Sequence, residues 1–144
     1  MHYLSPKEFL ERYAAGGTAK TQKSAGKLLA LSLLAGALIA LGCAATSTAV
    51  HGLENAGLAR TVSGLLFPFG LCMVIVTGAE LFTGNSLLVL SLLEQKCTLS
   101  GLLRNWALVY LGNFLGALLA AAGCVFFGQL NYSAGGLAVY TVRL

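Results

Sequence analysis

Charged and catalytically useful residues are scarce in this sequence. Only 10% of its residues are charged and none of its acidic residues is aspartate, whereas a soluble domain carries roughly 25% charged residues. The two histidines, His2 and His51, lie outside the long apolar stretches. The four cysteines stand singly, without the spacing of a metal or redox site, and neither a phosphate-binding loop nor a nucleophile with partner residues occurs. We therefore predict that the chain is not an enzyme and uses no cofactor and no metal.

The sequence contains three long stretches without charged residues. Apolar residues make up 57% of the chain, and a helix needs about 20 of them in succession to cross a bilayer. Uncharged runs extend from Ala30 to Val50, from Thr61 to Ala79 and from Asn105 to Tyr140. The sequence therefore predicts an all-α, polytopic membrane protein. The predicted spans cover about 28–50, 61–95 and 102–127, and a short external tail completes a transmembrane region of 28–144.

The basic residues are distributed unevenly about these stretches. Five of the nine precede the first stretch, and Arg60 lies between the first and the second. Lys96 and Arg104 lie between the second and the third, and Arg143 follows the third. Three crossings then place seven basic residues on one side, so the positive-inside rule predicts a cytoplasmic N-terminus in the plasma (inner) membrane. The net charge of +4 thus reflects topology, with the lipid bilayer as partner and no nucleic acid.

Residues 1–27 are predicted to form a cytoplasmic segment with a short surface helix. Ser5 is placed to cap it, Pro6 suits its first position and Glu8 completes a capping box. Apolar residues follow at helical spacing, and Gly16-Gly17 is expected to end the helix. An amphipathic helix on the membrane surface and a simple leader that sets topology fit this pattern about equally well.

The second apolar region has an unusual length. Between Thr61 and Leu93 the only charged residue is Glu80. As one helix these 33 residues would rise about 50 Å, against a hydrocarbon core of about 30 Å. Two full spans and a turn would need more residues than are present. We therefore predict a single crossing interrupted by non-helical chain of the re-entrant type.

The interruption is predicted at 78–85, where glycines stand at both ends and polar side chains lie between them. Irregular backbone is tolerated in a membrane only where protein or a watery cavity surrounds it, and broken helices mark transport pathways. Glu80 would be an intramembrane carboxylate, which is energetically expensive. It either accepts hydrogen bonds from the loop's amides or a neighbouring helix, or it lies on a substrate path. The structural role is the more common of the two.

The third apolar stretch predicts a tightly packed helix. Gly112 and Gly116 form a Gly-x-x-x-Gly pair, which allows close helix packing. Asn105 and Asn113 are eight residues apart and fall near one face. We expect these amides to form hydrogen bonds to other helices rather than to bind substrate.

Two motifs together resemble the formate/nitrite transporter family. The first is the octapeptide of residues 78–85, and the second comprises Asn105-Trp106, residues 109–113 and Gly116-Ala117. The order of surface helix, first span and broken second span is also similar to that family. The resemblance implies a pentamer of protomers with an aquaporin-like fold, in which two inverted halves of three spans surround a pore. It also implies transport of small monovalent anions or their conjugate acids, such as formate, nitrite and hydrosulfide.

The resemblance also implies roles for individual residues. Phe67 matches the outer constriction, Leu71 the inner one, and Leu81 and Phe82 the loop residues that narrow the inner side. Thr83 matches a loop threonine that faces a central histidine. Residues expected to shape the loop itself are Gly78, Glu80, Gly84 and Asn85.

The length of the chain departs from the family pattern. The sequence stops at Leu144, after what would be the third of six spans. The central histidine and an anion-attracting lysine of the family would lie in the part that this sequence lacks. We therefore expect an N-terminal half-protomer, truncated after the third span. The alternative is a membrane fragment or assembly subunit with no transport of its own. A water or glycerol channel is not supported, because the sequence contains no Asn-Pro-Ala.

Overall fold

The computed structural model describes residues 3–143, so the prediction for His2 falls outside the described residues. Every regular element in the described range is helical, as predicted. Three helical stretches are long and apolar enough to cross a membrane, namely Ala25–Val50, Ala56–Thr77 and Leu99–Phe126. The elements in chain order are α1 Pro6–Thr21, α2 Ala25–Val50, α3 Ala56–Leu66, α4 Pro68–Thr77, α5 Phe82–Asn85, α6 Leu88–Leu93, α7 Leu99–Phe126, a 3-10 turn Gln129–Asn131 and α8 Gly136–Arg143.

Helices α2 and α7 form the centre of the bundle, and glycines bring them together. A Cβ atom on Gly36 would lie 2.0 Å from the carbonyl oxygen of Asn113, and one on Gly116 would lie 2.0 Å from that of Leu33. A Cβ on Gly112 would lie 2.4 Å from the Cβ of a serine on α2. The predicted Gly-x-x-x-Gly face of α7 is therefore the face that packs against α2, because only glycine allows such a backbone approach.

Helix α1 begins as its capping box predicts. The Ser5 side chain accepts from the Glu8 amide at 3.3 Å, and the Glu8 carboxylate accepts from the Ser5 amide at 2.8 Å. The expectation that Gly16-Gly17 ends the helix is wrong, because α1 continues to Thr21. Gly17 is buried against α6, where an added Cβ would lie 1.9 Å from the hydroxyl of Ser91. Here the glycine permits close packing rather than a chain reversal.

Helix α1 lies at the end of the bundle that carries the loop before α7. The Thr18 hydroxyl donates to the carbonyl of Lys96 at 2.8 Å. The Arg104 guanidinium donates to the carbonyl of Lys23 at 3.1 Å. These contacts place α1 beside Lys96 and Arg104, as the charge distribution predicts, and away from Arg60, which lies near the start of α3.

The second apolar region begins earlier than predicted. Asn55 caps α3, so the helix starts at Ala56 rather than near residue 61. Helices α3 and α4 meet at Phe67 and Pro68, where proline supplies no amide hydrogen and interrupts the helical bonding. Together they span 22 residues, a length of about 33 Å, so this part by itself is long enough to cross a hydrocarbon core of about 30 Å.

The helix break follows directly after that crossing. Residues 78–81 are not helical, in agreement with the predicted interruption. Helix returns sooner than expected, with the single turn α5 starting at Phe82 and α6 following it. The break therefore lies towards the α1 end of the bundle, because α3 and α4 have already covered the length of a span.

The C-terminal segment is more structured than the predicted external tail. Helix α8 and the 3-10 turn before it fold back on the ends of α2 and α7. Leu137 is buried, and the His51 ring is 2.8 Å from the hydroxyl of Ser133. The amide of Gln129 donates to the hydroxyl of Thr48 at 2.8 Å. These contacts are long-range, so the sequence pattern around them did not indicate them.

Candidate functional site at the helix break

The break begins with a left-handed residue. Gly78 has φ +66° and ends α4, while its amide bonds to the carbonyl of Ile75. Only glycine adopts this conformation without strain, so a glycine at this position has a local structural cause. The chain then turns towards α2, where the amide of Glu80 donates to the carbonyl of Leu31 at 3.3 Å.

Asn113 on α7 holds the middle of the break. Its side-chain oxygen accepts from the amide of Phe82 at 2.8 Å. Its side-chain nitrogen donates to the carbonyls of Ser32 and Glu80 at 2.8 and 2.9 Å. One side chain thus satisfies a backbone donor and a backbone acceptor that the helix break leaves without helical partners. The prediction that Asn113 forms interhelical hydrogen bonds agrees with this geometry.

Asn85, the last residue of α5, anchors the helical turn that follows the break. It is fully buried, and its side-chain nitrogen donates to the side-chain oxygen of Asn105 at 3.0 Å. Asn105 in turn donates to the carbonyl of Lys20 at 3.3 Å, and the Trp106 indole donates to the carbonyl of Asn85 at 2.8 Å. From α1, the hydroxyl of Tyr13 donates to the carbonyl of Gly84 at 3.2 Å. Side chains of α1 and α7 therefore fix the loop from two sides.

Glu80 is paired with two lysines. Its carboxylate is 3.0 Å from the Nζ of Lys20 and also bonds the Nζ of Lys23, while Glu80 itself is only 2% exposed. Lys20 bonds the side-chain oxygen of Asn85 at 2.8 Å as well. These contacts tie the break to the segment that holds the two lysines, and Glu80 also lines the cavity beside the break. Its partners are the N-terminal lysines rather than loop amides.

Lys20 and Lys23 are the site residues that the sequence pattern did not reveal. They are 60 and 57 residues away from Glu80 in the chain and look like ordinary topology-setting charges ahead of an apolar span. The available signal was that both lysines lie close together just before the first apolar stretch, and that the apolar region around Glu80 contains no basic residue to pair with it. Two ammonium groups and one carboxylate leave this cluster with a formal charge of +1.

A cavity of about 590 Å³ lies beside the break. Leu71 of α4 and Leu81 and Thr83 of the loop, all three predicted for the substrate path, contribute to its wall. The charged cluster forms another part of that wall, so a mostly apolar space lies beside two ammonium groups. The remaining lining residues come from α4 and the loop, namely Val74, Ile75, Gly78, Ala79, Gly84 and Asn85.

The other two residues predicted for the substrate path, Phe67 and Phe82, do not line this cavity. The ring of Phe82 packs edge-on against Trp106 and Tyr110, with centroids 6.2 and 5.5 Å apart. Phe67 borders a separate space of about 440 Å³ between α2 and the α3–α4 junction, together with Ser63 and other residues. The structure therefore brings three of the five predicted residues to one cavity and does not bring Phe67 and Phe82 there.

The family model for the formate/nitrite transporter matches residues 7–143. The chain belongs to the formate/nitrite transporter family. This confirms the resemblance inferred from the octapeptide of residues 78–85 and the third helix. Since that family consists of membrane transporters, the assignment agrees with the prediction that the chain is not an enzyme.

Several curated members of the family are similar to this chain over part of their length. A probable formate transporter of Methanothermobacter thermautotrophicus is 36% identical over 124 residues, which are 83% of this chain and 45% of the relative. The formate channel FocA of Haemophilus influenzae is 36% identical over 128 residues, covering 88% of this chain and 45% of that protein. The formate-nitrite transporter of Plasmodium falciparum is 36% identical over 112 residues, covering 71% and 36%. The chain thus spans less than half the length of these relatives.

Proposed function

We propose that this chain contributes to a membrane channel or transporter for small monovalent anions, or for their conjugate acids, of the formate, nitrite and hydrosulfide class. The observation that carries the proposal is the helix break beside a cavity in which Leu71, Leu81 and Thr83 adjoin the two lysines. Formate is the substrate named for the relatives in Methanothermobacter and Haemophilus, which supports the proposed class.

The chemistry of the cavity fits such a substrate. An anion loses its hydration on entering an apolar constriction, and that loss is expensive without a compensating partner. Lys20 and Lys23 place positive charge at the cavity, while Glu80 neutralises only one of them. The remaining charge of +1 attracts a monovalent anion, and a protonated acid would pass the leucines at lower energy. The Thr83 hydroxyl supplies a hydrogen-bonding group next to them.

The loop is proposed to be of the re-entrant type in an aquaporin-like half-protomer. The non-helical segment 78–81 between two apolar helices supports this proposal. Phe82 is proposed to hold Leu81 and Thr83 in position, because its ring is packed against α7. Phe67 remains proposed for an outer constriction further along the same α3–α4 segment.

The face formed by α3 and α4 is proposed to pack against further protein of the same transporter. Large apolar side chains on this face are exposed, among them Phe69 at 64%, Ile75 at 70% and Val76 at 86%. Phe67 and Leu71, at other positions around the same two helices, are each 44% exposed. A second three-span half and a pentameric assembly, as implied by the family, would cover this surface. The alternative is a subunit that does not transport.

Flux measurements in liposomes test this function. We expect little formate uptake with the 144-residue chain alone, and saturable uptake when the C-terminal three-span half of the Haemophilus relative is reconstituted with it. In that mixture Leu71→Trp should reduce uptake at least about tenfold, because the bulky ring fills the cavity. Leu118→Trp is the matched control, since Leu118 is exposed on α7 and does not line the cavity.

Two outcomes would contradict the proposal. Equal uptake in the Leu71→Trp and Leu118→Trp mixtures would remove Leu71 from the path. Absence of saturable uptake in a mixture whose two halves co-purify would favour the non-transporting subunit.

A further inference from the structure

A second cavity, open on one side, lies at the end of the bundle opposite α1. Its volume is about 410 Å³, within the roughly 300–1,000 Å³ typical of sites for small ligands. It shares no lining residue with the cavity at the helix break. Helices α2 and α7 form its walls, and the 3-10 turn and α8 close it.

Small side chains leave this space open. Helices α2 and α7 are in close contact where Gly116 packs against Leu33. Nearer the C-terminal ends of the two helices, the residues that line the cavity include Ala44 on α2 and Ala121 on α7. The alanine methyl groups hold the backbones apart without filling the gap between them. Leu137 of α8, which is 2% exposed, covers part of it. The chain thus builds a cavity whose interior its own side chains do not occupy.

Gln129 and Thr141, two of the polar side chains that line the cavity, form hydrogen bonds within the protein. The Gln129 amide donates to the carbonyl of Ala44 at 3.3 Å and to the hydroxyl of Thr48 at 2.8 Å. The Thr141 hydroxyl donates to the carbonyl of Leu137 at 2.8 Å. A polar ligand would lose hydration without gaining these groups as partners, and water does not occupy apolar cavities readily. The interior therefore suits an apolar guest.

The position of the cavity along the helices indicates which apolar ligand is available to it. Helix α7 has 28 residues and a length of about 42 Å, against a hydrocarbon core of about 30 Å. Its lining residues Ala117 to Val125 lie within roughly 14 Å of its C-terminal end, where the core meets the headgroups. Val125 is 60% exposed and Cys43 is exposed as well, so the cavity opens sideways on the outer surface of the helical bundle.

We propose that this cavity binds one acyl chain of a membrane phospholipid. The chain enters from the leaflet at this end of the bundle and lies between α2 and α7 beneath α8, with its headgroup at the interface. It contacts the thiols of Cys43 and Cys124, both of which line the cavity. This site is separate from the proposed transport path and does not depend on it.

Photo-crosslinking tests the proposal on the 144-residue chain in nanodiscs. The probe is phosphatidylcholine with a diazirine on one acyl chain, and tandem mass spectrometry maps its attachment. We expect crosslinks concentrated on residues 117–125 and 40–47. Ala44→Leu should lower them at least about fivefold by filling the cavity, whereas Ala45→Leu should not. Ala45 is exposed one position along the same helix and does not line the cavity.

A second pair of variants keeps the test informative if Ala44→Leu fails to fold. Ala121→Phe fills the cavity from α7, and Ala122→Phe is its matched control at the next position, which does not line the cavity. Crosslinks spread evenly over the exposed helix surfaces, and unaffected by both filling variants, would overturn the proposal. A second result would also overturn it: Ala44→Leu or Ala121→Phe dissociates oligomers of the chain, and the cavity residues are not labelled by the lipid probe. The cavity would then be occupied by a segment of protein instead of an acyl chain.

Discussion

Replacing Asn113 tests how the helix break is held in place. Its side chain makes three hydrogen bonds, one from the Phe82 amide and two to the carbonyls of Ser32 and Glu80. In Asn113→Ala the Phe82 amide loses its acceptor, and the Glu80 carbonyl loses a donor in a partly buried region. Leaving one buried polar group without a partner costs about 1–3 kcal/mol. The Ser32 carbonyl lies within α2 and keeps its hydrogen bond within that helix, so it loses only the additional bond from Asn113.

The expected effect is local rather than global. Taking about 2 kcal/mol for the lost bonds, the population of the opened loop should rise about 30-fold. Local opening of this kind appears as faster amide hydrogen exchange. Exchange measured by mass spectrometry on peptides covering 78–85 should therefore accelerate by that factor. Peptides from the α2–α7 contact should change much less, because their glycine packing does not involve this amide.

Two further substitutions make the measurement specific. Asn113→Asp retains an oxygen for the Phe82 amide but cannot donate to both carbonyls, so its exchange should also be fast. Asn131→Ala removes an exposed asparagine outside this network and should leave the loop unchanged. Loop exchange in Asn113→Ala within threefold of the wild-type rate would refute the assignment of Asn113 as the residue that holds the break.

Three other outcomes follow from the structure. Gly17→Ala should loosen α1 from α6, seen as faster proteolysis of α1, because its Cβ would overlap an α6 hydroxyl; Gly16→Ala has open space around it and should not. In a cysteine-free background, a membrane-impermeant maleimide added to intact cells should label Glu54→Cys and not Lys7→Cys; the reverse would overturn the predicted topology. The pKa of Glu8 is lowered by hydrogen bonds from the Ser5 amide and hydroxyl. The capping stabilisation is therefore complete above the unfolded pKa and lost as pH falls through the folded one. Amide exchange in the first turn should accelerate there, and in Glu8→Gln this pH dependence should disappear.

Part of the candidate site could be predicted because its causes are local. Gly78 and Gly84, within an apolar region too long for one span, indicated a break, and the break is present. The amides of Asn105 and Asn113 were expected to bond other helices, since polar side chains in apolar helices need partners, and they bond α5 and α2 respectively. The identity of those partners could not be predicted, because nothing in a single sequence indicates which residues far apart in the chain will be in contact.

Glycine illustrates why some predictions were wrong. Gly17 carried the usual signal of a helix end, yet α1 continues through it because α6 packs against that position. Gly78 carried the same signal and does end a helix, with φ +66°. The residue type permits either a left-handed turn or a close approach. Which of the two occurs depends on whether another helix lies against that residue.

The sequence by itself determined the number of spanning stretches, the location of the break and the cap of α1. Hydropathy, span length and capping all act between residues near one another in the chain. The tertiary structure alone decided that Glu80 is paired with Lys20 and Lys23, and that the ring of Phe82 faces α7. It also decided that α8 closes a cavity over α2 and α7. The physical reason is that burial, charge pairing and cavity shape depend on which helices meet, and that choice is made only when the whole bundle packs.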